Sequence, residues 1–182
     1  KTCTDLHYRF ESGGKIEVRM DTRVPEGYPC LPRIGTELQV PKEFCEVNWY
    51  GRGKTETYPD RKMSVPIGAY REQVDEQECP YLVPGEWGGH EDTEWMELRD
   101  QSGCGIRIQA ETPFHFDAHR NSIREYEQAA HWHELPEGDR IWLHIDGIFA
   151  GLGGDTGWFQ TIHPEYQIGA GEYTMSYRME PV

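Results

Sequence analysis

The chain has 182 residues, 36% of them hydrophobic, and its 32 acidic residues outnumber the 18 basic ones to give a net charge of −14. This length is enough for one domain with a substantial core. The negative charge would repel phosphate groups and anionic membrane surfaces, so we expect no nucleic acid and no membrane as partners, whereas a neutral ligand is unaffected.

The first predicted element is a strand that begins at Ile16, because Ile16, Val18 and Met20 alternate with polar residues as a half-buried strand requires. The same alternation predicts a second strand over residues 34–40. The segment 47–61, which follows, mixes aromatic residues, glycines and opposite charges. We interpret it as a loop shaped by an internal ion network rather than as a ligand site. The members of that network would be Arg52, Glu56, Asp60 and Arg61.

A third strand is predicted over residues 105–110, around Ile106 and Ile108, and a helix signal follows it. Ser122 and Glu125 fit a Ser-x-x-Glu capping box, in which each side chain satisfies the backbone N–H of the other residue. We therefore predict one short helix over residues 123–130.

Two pairs of histidines invite a metal interpretation. His115 and His119 lie four residues apart, and His131 and His133 would share one face of a strand. A zinc site needs three or four converging ligands, and the sequence fixes no third one. We therefore predict no metal site in this chain and treat these histidines as polar strand surface.

Further strands are predicted over residues 141–145 and 173–179, and clusters rich in Gly, Asp, Ser and Pro separate the strands. This succession predicts an all-β fold, an antiparallel β-sandwich with one short helix, formed by residues 1–182 as a single domain.

A glycine-dense loop between the last two strands is the best functional signal. Gly151, Gly153, Gly154 and Gly157 permit a tight loop with little side-chain bulk, and Trp158 comes directly after them. An exposed indole face there would suit the apolar C–H side of a sugar ring. The alternative is that Trp158 caps the core at the base of the loop, as most tryptophans are highly buried.

Several short motifs occur in a fixed order along the chain. They are the segments 47–53 and 58–61 with Glu56 between them, then 131–135, 142–146, 153–155, Trp158 and 163–166. In this order they resemble the C-terminal domain of the large bacterial β-galactosidases, which are glycoside hydrolases of family two. The resemblance covers essentially all 182 residues.

The resemblance implies a galactose-mutarotase-like supersandwich whose beginning is absent, and a chain that is a fragment of a larger multidomain enzyme. The catalytic glutamates of the family lie in a separate barrel domain, so no catalytic residue is expected here. Trp158 matches the tryptophan by which this domain contacts the substrate. Asp155, in the same loop, is a weaker candidate for substrate binding. Trp87, at which the chain departs from the family pattern, is either a second sugar platform or a contact to a neighbouring domain.

The implied activity is hydrolysis of terminal β-galactosides by the parent enzyme, with the isolated chain inactive. Its partners would be the galactoside, the other domains of the parent enzyme and further copies in a homo-oligomer. The resemblance implies no cofactor in this chain, and allows Mg²⁺ and Na⁺ ions in the full enzyme. One alternative is a freestanding carbohydrate-binding module without catalysis. Another is a mutarotase-like activity, prompted by the fold and the histidines alone.

Overall fold

The computed structural model describes residues 1–79, 81–85, 87–155, 157–159 and 161–182. Within these ranges the chain forms nine β-strands and one α-helix. The strands are β1 (Cys3–Phe10), β2 (Ile16–Val24), β3 (Arg33–Pro41), β4 (Glu46–Arg52), β5 (Ile67–Gln73), β6 (His90–Arg99), β7 (Gly105–His119), β8 (Arg140–Phe149) and β9 (Gly171–Pro181). The helix α1 spans Ile123–Gln128, and single 3-10 turns occur at Ser12–Gly14, Val74–Glu76, Trp132–Glu134 and Pro164–Tyr166.

All strand pairs are antiparallel, and the main path of the sheet runs β1-β2-β9-β7-β6-β4-β5. β8 leaves this path by pairing with β7, and β3 pairs with β8. Core side chains from β2, such as Val18 and Met20, belong to the same hydrophobic cluster as Ile34 on β3 and Leu143 on β8. The predicted all-β antiparallel sandwich is therefore confirmed.

Strand β7 is longer than predicted and changes its partner along its length. Its first part pairs with β9 over residues 106–109, and its last part pairs with β8 over residues 115–119. Between them the pairing with β6 shifts register, from Trp95 opposite Gln109 to Thr93 opposite Phe114. Pro113, which has no N–H to donate, lies in this irregular stretch. The bulge lets one strand serve both layers of the sandwich.

The helix begins where predicted but ends two residues earlier, at Gln128. The Ser122 side chain accepts a hydrogen bond from the Glu125 N–H, and the Glu125 side chain accepts one from the Ser122 N–H, so the capping box is confirmed. Ala129 then adopts an extended conformation with ψ of 122°. Over the residues that the structure describes, no helix has the length and apolar character needed to cross a membrane.

Two local interpretations were wrong. His131 and His133 do not lie on a strand, because the Glu134 carboxylate accepts hydrogen bonds from the N–H groups of Ala130 and His131 and closes a 3-10 turn there. The segment 47–61 is a loop only after Arg52, since Glu46–Arg52 is strand β4. That strand inserts Trp49, which is fully buried, into the core.

Candidate functional site

The glycine-dense loop joins β8 to β9 and displays two aromatic rings at the surface. Trp158 is 88% exposed and Phe159 is 74% exposed. Gly153, Gly154 and Gly157 have φ values of +68°, +87° and +71°, a region of backbone conformation that glycine adopts readily. The Gly157 N–H donates to the Gly154 carbonyl at 3.2 Å, so a tight turn immediately precedes the indole. Trp158 therefore does not cap the core.

Backbone hydrogen bonds close the base of this loop. The Ala150 N–H donates to the Pro32 carbonyl at 2.8 Å, and the Gly151 N–H donates to the Tyr166 carbonyl at 2.9 Å. These bonds tie the start of the loop to its end and to the segment before β3. The loop thus projects from the sandwich, and backbone hydrogen bonds fix its base.

A side chain from a distant part of the chain also holds the loop. The half-buried Asp60 accepts a hydrogen bond at its Oδ2 from the Gly153 N–H at 2.7 Å. A Cβ placed on Gly151 would lie 2.5 Å from the same oxygen, so this approach requires glycine there. Asp60 is therefore not a member of the expected ion network, because its carboxylate binds loop backbone instead.

The turn that carries Asp60 is itself fixed in the core. Tyr58 is 2% exposed, and its backbone pairs with that of Arg61. The Arg61 guanidinium lies 5.3 Å from the centre of the Tyr58 ring and forms an ion pair with Glu56. This ion pair confirms one part of the expected network. Arg52, in contrast, pairs with Asp92 on β6 at 2.6 Å.

Glu56 binds several groups around this turn. It accepts hydrogen bonds from the Tyr81 hydroxyl and, at 3.0 Å, from the Gly88 N–H. Burial disfavours its charged form, but these hydrogen bonds and the charge of Arg61 outweigh burial and lower the pKa of Glu56. Its carboxylate therefore holds the segment 56–61 against Tyr81 and Gly88.

Asp155 lies on the exposed part of the loop and pairs with His163. The His163 Nε2 is 2.8 Å from the Asp155 Oδ2, and the two side chains are 54% and 61% exposed. The hydrogen bond and the charge of Asp155 raise the pKa of His163. This pair spans the loop at its surface.

A second cluster of charged groups is buried between β3, β7 and β8. The Arg33 guanidinium donates to Asp117 at 2.6 Å and also pairs with Asp146. The His144 Nδ1 lies 2.5 Å from the Asp117 Oδ1. The side chains of Asp117 and Asp146 are 1% and 2% exposed. Sequence reasoning missed this cluster.

The pKa values in the buried cluster follow from burial and pairing together. Burial opposes ionisation of Asp117, but the charges of Arg33 and His144 outweigh it and hold the pKa of Asp117 well below its usual range. Burial opposes protonation of His144, but Asp117 outweighs it and raises the pKa of His144. Burial raises the pKa of Asp146 despite the charge of Arg33. In this cluster the positive charge of Arg33 thus offsets the cost of burying the carboxylates.

Three donor groups of this region lie close enough to suggest a cation site. One ligand atom each from His115, Asp117 and Asp146 lies within 4.8 Å of the others. However, Arg33 binds both carboxylates, and the His115 Nδ1 is 2.8 Å from Glu91. The guanidinium supplies the positive charge that a metal ion would bring, so these residues do not fit a resident metal.

The histidines singled out in the sequence do not converge on a surface site. His115 and His119 are 3% and 1% exposed. His131 and His133 stack on each other at 5.5 Å, on the separate 3-10 turn after α1. The buried pair is sealed from any sugar in solution, so His115 and His119 give no support to a mutarotase-like activity.

Trp87 is not a sugar platform, and that expectation is corrected. Trp87 is 1% exposed, because its ring packs 4.7 Å from Trp132 and 5.1 Å from Tyr126, measured between ring centres. The Trp132 Nε1–H donates to the Tyr81 carbonyl at 2.6 Å and fixes the covering ring. The contact to a neighbouring domain is excluded by the same burial, since Trp87 packs within its own domain.

Comparison with known proteins gives the family. The family model described as β-galactosidase small chain matches residues 1–179. A β-galactosidase of Vibrio cholerae serotype O1 is 34% identical over 165 residues, which is 91% of this chain and 15% of that protein. A β-galactosidase of Streptococcus thermophilus is 31% identical over 96% of this chain and 17% of its own length. The β-galactosidase BgaC of Bifidobacterium adolescentis is 34% identical over 93% of this chain and 17% of its own length.

The chain belongs to the β-galactosidase small chain family. It spans 15% to 17% of the length of the curated relatives named above.

Proposed function

We propose that this chain is one domain of a larger, multidomain β-galactosidase, and that Trp158 contacts the galactoside at the active site of that enzyme. The observation that carries the proposal is the 88% exposure of Trp158 on a loop with a hydrogen-bonded base. An indole face can pack on the C–H face of a sugar and contribute about 1 kcal/mol beyond area burial. Because the substrate is neutral, the net charge of −14 does not oppose its approach.

Asp155 is a second, weaker candidate for substrate binding. Its side chain is 61% exposed and belongs to the same loop as Trp158. A carboxylate has capacity for several hydrogen bonds, so Asp155 can pair with His163 and still accept one from a sugar hydroxyl. We assign it a supporting role beside the indole.

The reacting carboxylates belong elsewhere in the parent enzyme under this proposal. Glycoside hydrolysis needs two carboxyl groups that face each other across the scissile bond. Asp117 and Asp146 are buried and paired with Arg33, and Asp60 binds the Gly153 N–H. Mg²⁺ or Na⁺ ions of the full enzyme would likewise bind residues outside this chain.

An uncovered apolar strip on β1 supports contact with other domains of the parent enzyme. Leu6, Tyr8 and Phe10 are 45%, 53% and 74% exposed. In the register with β2 they lie opposite the core-facing residues Met20, Val18 and Ile16. These rings and methyl groups thus extend the core face of the sheet to its edge, where a neighbouring domain or a further copy in a homo-oligomer would cover them.

Replacing Trp158 by alanine in the parent enzyme tests the proposal. We expect kcat/KM for a β-galactoside to fall about tenfold, which corresponds to the loss of about 1.4 kcal/mol. The melting temperature should stay unchanged, because removing an exposed ring leaves no core cavity. Kinetics and calorimetry on the purified enzyme measure both quantities.

Met63→Ala is the matched control, because Met63 is 89% exposed and lies outside the loop. We expect it to leave kcat/KM unchanged. Unchanged kinetics in Trp158→Ala would contradict the proposal. A large fall in its melting temperature would instead assign the ring a structural role.

Calorimetric titration of the isolated chain with galactosides separates an enzyme domain from a freestanding binding module. A domain that supplies one ring should give little or no heat of binding. Saturable binding by the isolated chain would favour the module.

A further inference from the structure

We infer that Asp60 is a positioning residue that sets the place of the Trp158 ring by holding the loop backbone at Gly153. The inference rests on the proposed function of Trp158. Asp60 is distant from Trp158 in the sequence, and it would determine where the indole ring meets the sugar.

The position of the indole depends on the loop backbone. Trp158 is 88% exposed, so it has little packing of its own to fix the ring. Gly153 lies five residues before it, and the N–H of Gly153 donates to the Asp60 Oδ2 at 2.7 Å. A hydrogen bond to an ionised acceptor is stronger than a neutral one, so this contact is an effective anchor.

The loop backbone is confined on two sides at this anchor. A Cβ on Gly153 would lie 2.5 Å from the Thr161 carbonyl oxygen, and a Cβ on Gly151 would lie 2.5 Å from the Asp60 Oδ2. The glycines therefore let the backbone pass between the Asp60 carboxylate and the returning side of the loop. A displaced Asp60 would free this stretch of backbone.

Asp60 is held in place by the turn that carries it. Its turn is joined by the Arg61 N–H to Tyr58 carbonyl hydrogen bond at 2.8 Å, and Tyr58 is 2% exposed. The other carboxylate oxygen of Asp60, Oδ1, is buried with no hydrogen-bond partner among the described residues. Burying an unpaired oxygen costs free energy, so stability alone does not explain a carboxylate at this position.

The test compares variants of the parent enzyme in a double-mutant cycle. Asp60→Ala should raise KM for a β-galactoside about three- to tenfold, as expected for one lost hydrogen bond, with a smaller change in kcat. Asp60→Asn should largely restore KM, because the amide oxygen can still accept the Gly153 N–H. In the Trp158→Ala background, Asp60→Ala should change KM less than about twofold, because its effect is transmitted through the missing ring. Asp139→Ala, which removes a surface carboxylate paired with Arg140, is the control and should change nothing.

Hydrogen exchange separates failure of this inference from failure of the proposed function. Peptides covering residues 150–159 should exchange faster in Asp60→Ala than in the wild type or in Asp60→Asn. If Trp158→Ala leaves the kinetics unchanged, the sugar contact fails, while faster exchange still supports the anchor. Unchanged exchange in Asp60→Ala, or additive kinetic losses in the double variant, would overturn the inference.

Discussion

The buried charge cluster and the exposed tryptophan loop use similar chemistry under opposite conditions. In the cluster, Asp117 and Asp146 are held by Arg33, and the carboxylate side chains are at most 2% exposed. On the loop, Asp155 is held by His163, and both side chains are more than half exposed. Water can replace a lost partner at the surface but not in the interior. Loss of a charged partner should therefore lower the free energy of unfolding more in the cluster than on the loop.

Removing the cation of the cluster should have the largest effect on stability. Arg33→Met would remove the guanidinium that pairs with both buried carboxylates, Asp117 and Asp146, and should lower the free energy of unfolding by about 3–5 kcal/mol. Urea denaturation of the 182-residue chain, followed by circular dichroism, measures this change.

Arg178→Met is the matched control for that experiment. Arg178 pairs with Glu17 at 3.3 Å and its side chain is 51% exposed, so its loss should change stability little. Equal effects of the two substitutions would show that burial does not distinguish the two kinds of ion pair.

A smaller effect is expected in the pH dependence of stability. Burial lowers the pKa of His119 to about 4 and that of His90 to about 3. A histidine whose folded pKa is depressed contributes stability above its unfolded pKa, near 6.5, and this stability is lost as the pH falls toward the folded value. The free energy of unfolding should therefore decrease between about pH 6.5 and 4, by up to about 1.4 kcal/mol per pH unit for each of the two groups.

The substitution His119→Phe should remove about half of that slope, because His90 remains. The matched change on the loop is His163→Gln, and it should leave the slope in this range nearly unchanged because His163 is exposed. Denaturation at several pH values gives the slopes. A slope as steep as that of the wild type in His119→Phe would contradict the prediction, because it would mean that His119 does not contribute to the pH dependence.

The sequence predicted the parts of the fold that depend on local pattern. Alternation around Val18 and Met20 located β2, and the Ser122–Glu125 capping box located the start of α1. The glycines before Trp158 indicated a projecting loop for the same reason, since backbone freedom is a local property.

Contacts between residues that are distant in the sequence could not be predicted from such local patterns. The Arg33–Asp146 pair joins residues 113 positions apart, and the Asp60–Gly153 bond joins residues 93 positions apart. The sequence around Trp87 suggested a surface position, because nothing near it indicated that Tyr126 and Trp132 cover its ring. Asp60 and Gly153 both lay in recognised motifs, but nothing in either motif indicated that they meet.

The proposed contact between Trp158 and the galactoside is tested most directly by a crystal structure of the parent enzyme with a bound galactoside. We predict that one face of the indole lies in van der Waals contact with sugar carbons, at about 3.5–4 Å, while Asp60 still holds the Gly153 N–H. A bound galactoside with the Trp158 ring turned away, or with the loop remote from the sugar, would contradict the account.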